Sequence, residues 1–300
     1  MQDSIDNSLR ELGFRILSDE SAAGLIGVRK RVEKLGSGEM MVADIVDTGG
    51  DDLLRGLSLT AEHAKSLDET FVVAPVSTKW SGDIYCQILA MDNDWVPLSR
   101  LSSDELAATP QRAMSVALGA VKCVEYLARA GVCHLAICPS TVYKKGDRIR
   151  LGEMWTIQQS NQISYHPEFV TPISKFIRND ARLLTAPEFR DNPADIGTAA
   201  DLYSLALLIS NLFSTKAIQS SEVIEFGGDV RALLSQRCPG LDAAAVGALA
   251  GALERDVRKR PHIIQFQESV AGLAEAMGVP VPERYFEKSV PSPWDSRRPT

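Results

Sequence analysis

The sequence lacks a long hydrophobic run, since no stretch approaches the roughly 20 apolar residues of a membrane-spanning helix. Its first 14 residues are polar and carry acids, which is not the pattern of a secretory signal. The five cysteines are scattered without a Cys-x-x-Cys pair, and there are only four histidines. This favours buried, reduced thiols in a cytoplasmic protein over a disulfide framework or a metal site. We therefore expect no membrane span, no metal and no cofactor.

The sequence also has fewer positively charged than negatively charged residues. The chain has 32 Lys and Arg residues against 39 Asp and Glu residues, a net charge of −7. This balance argues against nucleic acid as the partner. A hydrophobic content of 45% excludes bulk disorder. A length of 300 residues suits one large domain or two unequal lobes.

Short β-like runs broken by turns dominate residues 1–97. The turn Gly36-Ser37-Gly38 between two such runs predicts a β-hairpin, and apolar residues at helical spacing predict one helix. The run from Arg29 to Arg31 is most simply a solvated strand face. The predicted order is β-β-β-α-β-β: strands 14–17, 28–35 and 39–46, helix 51–65, then strands 71–76 and 84–91.

Residues from 98 onward show mainly helical patterns. A short hairpin is expected within 132–152, and the polar stretch 153–184 has no periodicity and predicts a long loop. Helices are predicted over 111–130, 199–214, 243–255 and 265–277. The sequence thus predicts an N-terminal lobe over 1–97 and a C-terminal lobe over 98–278.

Prolines crowd the end of the chain. Five of the 15 prolines lie within the last 21 residues, together with Tyr285, Phe286 and Trp294. Pro-rich stretches are extended and semi-rigid. Residues 279–300 are therefore expected to form a tail or linker outside the fold, a candidate docking segment.

Four segments in the second part resemble motifs of protein kinases, in the same order. Residues 134–141, His-Leu-Ala-Ile-Cys-Pro-Ser-Thr, are similar to the catalytic loop H-R-D-x-K-P-x-N. Residues 186–188 match the A-P-E motif, residues 201–205 resemble the start of the central buried helix, and residues 255–261 resemble the later D-P-x-x-R-P motif. The resemblance covers about residues 12–277.

The resemblance implies an α+β, bilobal protein kinase-like fold with a small β-rich lobe and a larger helical lobe. It also implies two architectural contacts. Glu188 is expected to pair with Arg260, and Asp201 is expected to support the backbone near His134. His134 is more plausible as a packed histidine than as a catalytic base.

The catalytic groups of the family are missing at the matching positions. Ala136 replaces the Asp that accepts the substrate proton, Cys138 replaces the loop Lys, and Thr141 replaces the metal-binding Asn. Glu153 stands where the family has the Asp of D-F-G, and Asp44 stands where it has the phosphate-binding Lys. A carboxylate at position 44 would repel a triphosphate.

The matching nucleotide pocket is altered as well. Gly24 and Gly27 resemble a glycine-rich loop that has lost its first glycine, which is weak support for nucleotide binding. Arg29 and Val42 replace smaller residues where the adenine packs in the family.

The helix glutamate that pairs with the family's lysine aligns with Gly56, and Glu62 is the alternative.

The sequence is therefore identified as similar to pseudokinases: a catalytically inactive scaffold or allosteric regulator in signalling. Its expected partners are proteins, such as an active kinase or a signalling complex. The alternative is a nucleotide-binding switch or an atypical ATP-dependent transferase, supported by Gly24, Gly27 and Glu153. An active kinase with a misaligned small lobe is the weakest reading, because Ala136 does not depend on that alignment.

Overall fold

The computed structural model describes residues 7, 9–17, 22–23, 28–47, 51–81, 84–89, 91–92, 94–102, 105–106, 109–159, 182–226 and 229–281. Gly24 and Gly27 lie outside these residues, as do most of the predicted loop 153–184 and the tail beyond residue 281.

An antiparallel sheet forms the first part of the chain. Its strands follow the order β1-β3-β4-β6-β5, and β2 pairs with β3. Gly36 and Gly38 have φ angles of 90° and 71°, which a residue with a side chain rarely adopts, and they let the chain turn from β3 into β4. The strands are β1 (Phe14–Ile16), β2 (Ala22–Ala23), β3 (Val28–Lys34), β4 (Met40–Asp47), β5 (Pro75–Ser81) and β6 (Ile84–Leu89).

One helix, α1 (Asp51–Lys65), follows β4 with the predicted bounds. Leu57, Ala61 and Ala64 recur at helical spacing and are buried, so they form the face that packs inward. The Tyr85 hydroxyl donates a hydrogen bond to the Leu57 carbonyl at 3.4 Å. This contact joins the helix to strand β6.

The predicted strand 71–76 is wrong in its first half. Strand β5 begins at Pro75, whereas the backbone before it bonds to the second part of the chain. The Val73 N–H donates to the Leu151 carbonyl at 2.7 Å, and the Leu151 N–H donates to the Phe71 carbonyl at 2.9 Å. Because the backbone groups of Phe71 and Val73 form hydrogen bonds with Leu151, residues 71–73 connect the sheet to the helical part.

The second part is mainly helical and is organised around α2 and α4. Helix α2 begins after Thr109, whose hydroxyl accepts the Arg112 N–H, and it ends before Gly131 at φ 70°. The helices are α2 (Pro110–Arg129), α3 (Glu188–Asp191), α4 (Thr198–Phe213), α5 (Ser220–Glu225), α6 (Val230–Arg237), α7 (Ala243–Ala252) and α8 (Ile263–Ala276). The sequence did not predict α5 and α6, which are short.

Short strands connect the helices. The predicted hairpin in 132–152 is formed by β9 and β10, which pair antiparallel, and β7 pairs with β9. The strands are β7 (Val96–Pro97), β8 (Val132–Cys133), β9 (Val142–Lys145), β10 (Arg148–Leu151) and β11 (Gln158–Gln159). An antiparallel sheet followed by a helical part is the α+β class that the sequence predicts. The lobe and tail boundaries at residues 97 and 278 stay predictions.

Replacing Gly119 by Ala should destabilise the protein, although alanine is the better helix former. A Cβ atom at Gly119 in α2 would lie 2.4 Å from Cγ1 of Ile149 in β10, so the hairpin must shift. We expect a loss of about 1–3 kcal/mol in the free energy of unfolding. Urea unfolding measures it. Gly247→Ala is the control: a Cβ at Gly247 in α7 meets no atom within 4 Å, and this change should stabilise by up to about 1 kcal/mol.

Candidate functional site

The candidate site is centred on Arg29 of β3. The hairpin register places Arg29 opposite Asp44 of β4. Its Nε lies 2.5 Å from Oδ1 of Asp44, and its Nη2 lies 2.6 Å from Oδ2, a two-pronged contact between the planar guanidinium and the carboxylate. The amide of Gln87 in β6 lies 3.5 Å from the same Oδ2. Both oxygens of Asp44 are therefore engaged.

Arg29 also reaches the second part of the chain. Its Nη2 lies 2.6 Å from Oε1 of Glu153, and its Nη1 donates to the Tyr143 hydroxyl. The Tyr143 hydroxyl donates to Glu153 Oε1 at 2.9 Å, and the Trp155 indole N–H donates to Glu153 Oε2 at 3.0 Å. We call Arg29, Asp44, Tyr143 and Glu153 the Arg29 cluster. It joins the β-sheet to the turn that follows β10.

The cluster is almost closed to solvent. Side-chain exposure is 12% for Arg29, 3% for Asp44 and 2% for Glu153. Burial opposes the charge on Arg29, but the two neighbouring carboxylates hold its pKa well above its ordinary value. Burial raises the pKa of Asp44, against the opposing effect of Arg29. Burial likewise raises the pKa of Tyr143, which keeps the hydroxyl protonated as a donor to Glu153.

Glu153 has an uncommon backbone conformation. Its φ of 58° and ψ of 50° are left-handed, a region that side-chain-bearing residues rarely occupy. Such a conformation costs of order 1 kcal/mol and persists where surrounding contacts fix it. The contacts of its carboxylate with Arg29, Tyr143 and Trp155 provide that constraint.

Apolar side chains fill the space beside the cluster. Val42, the residue expected to crowd an adenine site, packs in a buried group with Leu89, Trp95 and Tyr143. The Tyr143 ring lies beneath Arg29, with the guanidinium carbon 5.4 Å from the ring centroid. The buried group is completed by Val73 and Met91.

The loop that resembles a catalytic loop is held by His134. Its Nε2 lies 2.9 Å from the Gly152 carbonyl, and its Nδ1 lies 3.3 Å from the Ala136 N–H. A carbonyl accepts and an N–H donates, so these partners select a neutral ring with the proton on Nε2. Burial lowers the pKa of His134 to about 4. The ring is thus a structural part of the loop.

Asp201 supports the same loop from α4. Its two carboxylate oxygens accept the N–H groups of His134 at 2.6 Å and Leu135 at 2.7 Å. Burial raises the pKa of Asp201 to about 7, while the two N–H groups act in the opposite direction. Leu135 is left-handed at φ 65°, a conformation these bonds stabilise.

The remaining loop positions offer little chemistry. Ala136 has only a methyl group, and Cys138 is buried. The Thr141 hydroxyl is used within the loop, since it donates to the Ala136 carbonyl at 2.9 Å and accepts the Cys138 N–H at 3.0 Å. Burial raises the pKa of the other buried thiols Cys86 and Cys123 to about 12, so these thiols stay protonated at neutral pH. All five cysteines are buried, and none forms a disulfide.

The second architectural contact is the ion pair between Glu188 and Arg260. Nη1 and Nη2 of Arg260 lie 2.7 and 2.8 Å from the two oxygens of Glu188. The pair is buried, and Arg260 also donates to the Ala199 and Glu254 carbonyls at 2.8 Å. It fixes the start of α3 against α4 and the segment before α8.

These residues do not fit the phosphates and magnesium that the fold resemblance implies. Each of the four carboxylate oxygens of Asp44 and Glu153 already accepts a hydrogen bond. A guanidinium stands between the two acids, where an incoming cation would bind. Among the described residues, no group of three or more His, Cys, Asp or Glu side chains is arranged to hold a metal ion.

Some sequence expectations for the site are wrong. Arg29 and Lys30 are not on a solvated face, because Arg29 is 12% exposed and paired with Asp44 and Lys30 is only 3% exposed. Arg31, the third residue of the run, is exposed as expected. Glu62, the alternative for the helix glutamate, pairs with Lys65 at 2.6 Å on an exposed part of α1, and its alignment stays a prediction. Tyr143 was missed altogether. Its role depends on a contact across 114 residues, for which no local pattern exists.

Removing the guanidinium should be strongly destabilising. Arg29→Met leaves the carboxylates of Asp44 and Glu153 buried without a counterion, and we expect a loss of about 3–5 kcal/mol in unfolding free energy. Urea unfolding with a fluorescence readout measures it. The matched control is Arg15→Met, which breaks the ion pair between Arg15 and Glu33. The Arg15 side chain is 64% exposed, so this change should lower the unfolding free energy by less than about 1 kcal/mol. Equal effects would contradict the role assigned to Arg29.

Acidification should cost stability through His134. The folded protein keeps the ring neutral down to about pH 4, whereas the unfolded chain takes up its proton near pH 6.5. Between these values the unfolded state binds more protons, so stability falls as pH falls, by up to about 3 kcal/mol. In urea unfolding at pH 7, 6, 5 and 4.5, the His134→Gln variant should show a shallower decline than the native protein. Parallel declines would refute the assignment.

Comparison with solved structures supports the architecture described above, whereas comparison with sequences finds no relative. The chain matches no protein-family model and no curated protein sequence. Its structure is similar to the crystal structure of the PknI kinase domain from Mycobacterium tuberculosis, with a TM-score of 0.63 and 19% identity. The match covers 87% of this chain and 96% of the PknI domain. No helix in the described ranges has the length and apolar character needed to cross a membrane. From its similarity to the PknI domain, we conclude that the chain has a bilobal, protein kinase-like fold.

Proposed function

We propose that this protein is a pseudokinase, a kinase-like protein that acts through contacts with other proteins and not by phosphoryl transfer. One observation supports this most directly. The Arg29 guanidinium is bound by Asp44 and Glu153, the residues that stand where kinases have the phosphate-binding lysine and a metal ligand. An internal cation thus takes the place of nucleotide-bound metal.

The energetics of nucleotide entry support the proposal. ATP could reach Asp44 and Glu153 only if Arg29 withdrew, and breaking a buried pair one-sidedly costs about 3–5 kcal/mol. The exposed carboxylates would then face a triphosphate of the same sign. At an effective dielectric of 20, each like-charge contact at 4 Å costs about 4 kcal/mol.

The catalytic loop supports the same conclusion. Ala136 cannot accept a proton, and the Thr141 hydroxyl is committed to backbone groups of its own loop. In contrast, the contacts that shape the fold are intact, namely Asp201 with the loop and Glu188 with Arg260. Retained architecture without reactive groups favours a scaffold or an allosteric regulator, with partners such as an active kinase or a signalling complex.

A cytoplasmic location is part of the proposal. It rests on the five buried cysteines, none of which forms a disulfide, since disulfides are common in oxidising compartments and rare in the cytoplasm.

ATP with Mg²⁺ should leave the thermal stability of the purified protein unchanged at millimolar concentration. A ligand at 100 times its Kd stabilises the folded state by about 2.7 kcal/mol, so binding would be visible as a higher Tm. Radiolabelled ATP should transfer no phosphate to the protein or to a generic substrate. The comparison variant is Glu153→Gln, which keeps hydrogen-bonding capacity but removes the charge.

Two results would contradict the proposal in different ways. Phosphate transfer that disappears in Glu153→Gln would identify an active kinase. A raised Tm without transfer would favour the nucleotide-binding switch, the second reading of the sequence.

A further inference from the structure

A cavity of about 360 Å³ opens in the helical part, away from the Arg29 cluster. Its apolar walls include Val223 of α5, Val230 of α6 and Leu253 after α7, and Tyr203 of α4 lines it as well. Ligand pockets span roughly 300–1,000 Å³, so this cavity is at the small end and suits a single large side chain.

Tyr203 links the cavity to the buried ion pair. Its hydroxyl lies 3.2 Å from the Ser220 hydroxyl, and the guanidinium carbon of Arg260 lies 4.9 Å from the centroid of its ring. Arg260 in turn holds Glu188, and the neighbouring Pro187 also lines the cavity. The Tyr203 ring that lines the cavity is therefore held by contacts at its hydroxyl and at its face.

Among the residues that the structure describes, four charged ones line the cavity, and two of them are already engaged. Asp229 accepts the Ala232 N–H at 3.0 Å as the cap of α6, and Arg255 lies 2.7 Å from Asp191. Arg231 and Glu254 are exposed and form no ion pair with any described side chain. The described part of the rim therefore presents Arg231 and Glu254 as charges outside any ion pair, beside the apolar side chains of Val223, Val230 and Leu253.

We propose that this cavity is a docking site for a segment of a partner protein in which an apolar anchor residue is flanked by one acidic and one basic residue. The anchor fills the space against Tyr203, Val223 and Val230. The acidic residue pairs with Arg231, and the basic residue pairs with Glu254. This complementarity selects the order of the two charges along the partner segment. The inference rests on the proposed function in that it assigns the protein-contact role to a defined surface.

Fluorescence anisotropy with labelled, capped peptides tests the proposal on the full chain. The probes are glycine-flanked Glu-Phe-Lys, the reversed Lys-Phe-Glu and the uncharged Gln-Phe-Gln. One charged order should bind about tenfold more tightly than the other, since exposed ion pairs contribute modestly. The uncharged peptide should lie between them.

Two glycines of α7 provide a matched pair of variants. Gly251 lines the cavity, and a Cβ placed there meets only Pro261 Cδ at 4.0 Å, so Gly251→Leu fits the helix and fills the cavity. Gly247 lies one turn earlier on the same helix and meets no atom within 4 Å. Gly251→Leu should abolish peptide binding, whereas Gly247→Leu should bind as the native protein does. Both should unfold at least as cooperatively as the native chain.

The double variant Arg231→Glu/Glu254→Arg gives the decisive readout, because it should reverse the preferred peptide order. Three outcomes would overturn the proposal: no peptide binding at 1 mM, equal binding of both charged orders, or binding that Gly251→Leu does not affect. None of these measurements involves ATP. A failure here therefore leaves the proposed loss of catalysis to be judged by its own experiment.

Discussion

The buried guanidinium of Arg29 is the counterion that two carboxylates share after the fold takes them out of water. Burying an ion costs several kcal/mol unless it is paired, so Asp44 and Glu153 depend on this cation. Asp44 belongs to the sheet, and Glu153 and Tyr143 belong to the hairpin region of the helical part. One side chain thereby joins the β-sheet to the helical part of the structure.

Elsewhere the structure combines contacts that hold the fold together with loop positions whose side chains carry no titratable group. Asp201 fixes the loop around His134, and Glu188 fixes Arg260, with geometry that needs no ligand. Within that frame, Ala136 leaves the loop without a base. A protein built this way has the fold of a kinase-like domain.

Much of the architecture was predictable from local pattern. The glycines at 36 and 38 indicate a hairpin, and the helical spacing of Leu57, Ala61 and Ala64 predicts α1 with the observed bounds. The strand predicted over 71–76 was wrong in its first half, because an extended apolar run looks the same whether its backbone pairs with a neighbouring strand or with Leu151.

The site was predictable only in part. The sequence places an acid at position 44 and another at position 153, and the hairpin turn alone sets Arg29 opposite Asp44. Local pattern still favoured a solvated face for Arg29, since side-chain burial depends on what packs over a strand.

The sequence by itself therefore determined the α+β order of elements and pointed to the two pairs that hold the fold, Asp201 with the His134 backbone and Glu188 with Arg260. Only the tertiary structure decided that Arg29 is the counterion of Asp44 and Glu153, and that Tyr143 completes the cluster from 114 residues away. The physical reason is that motif residues are specified by spacing along the chain. The partner of a buried charge, in contrast, is specified by distance in space, which appears only when the two halves pack together.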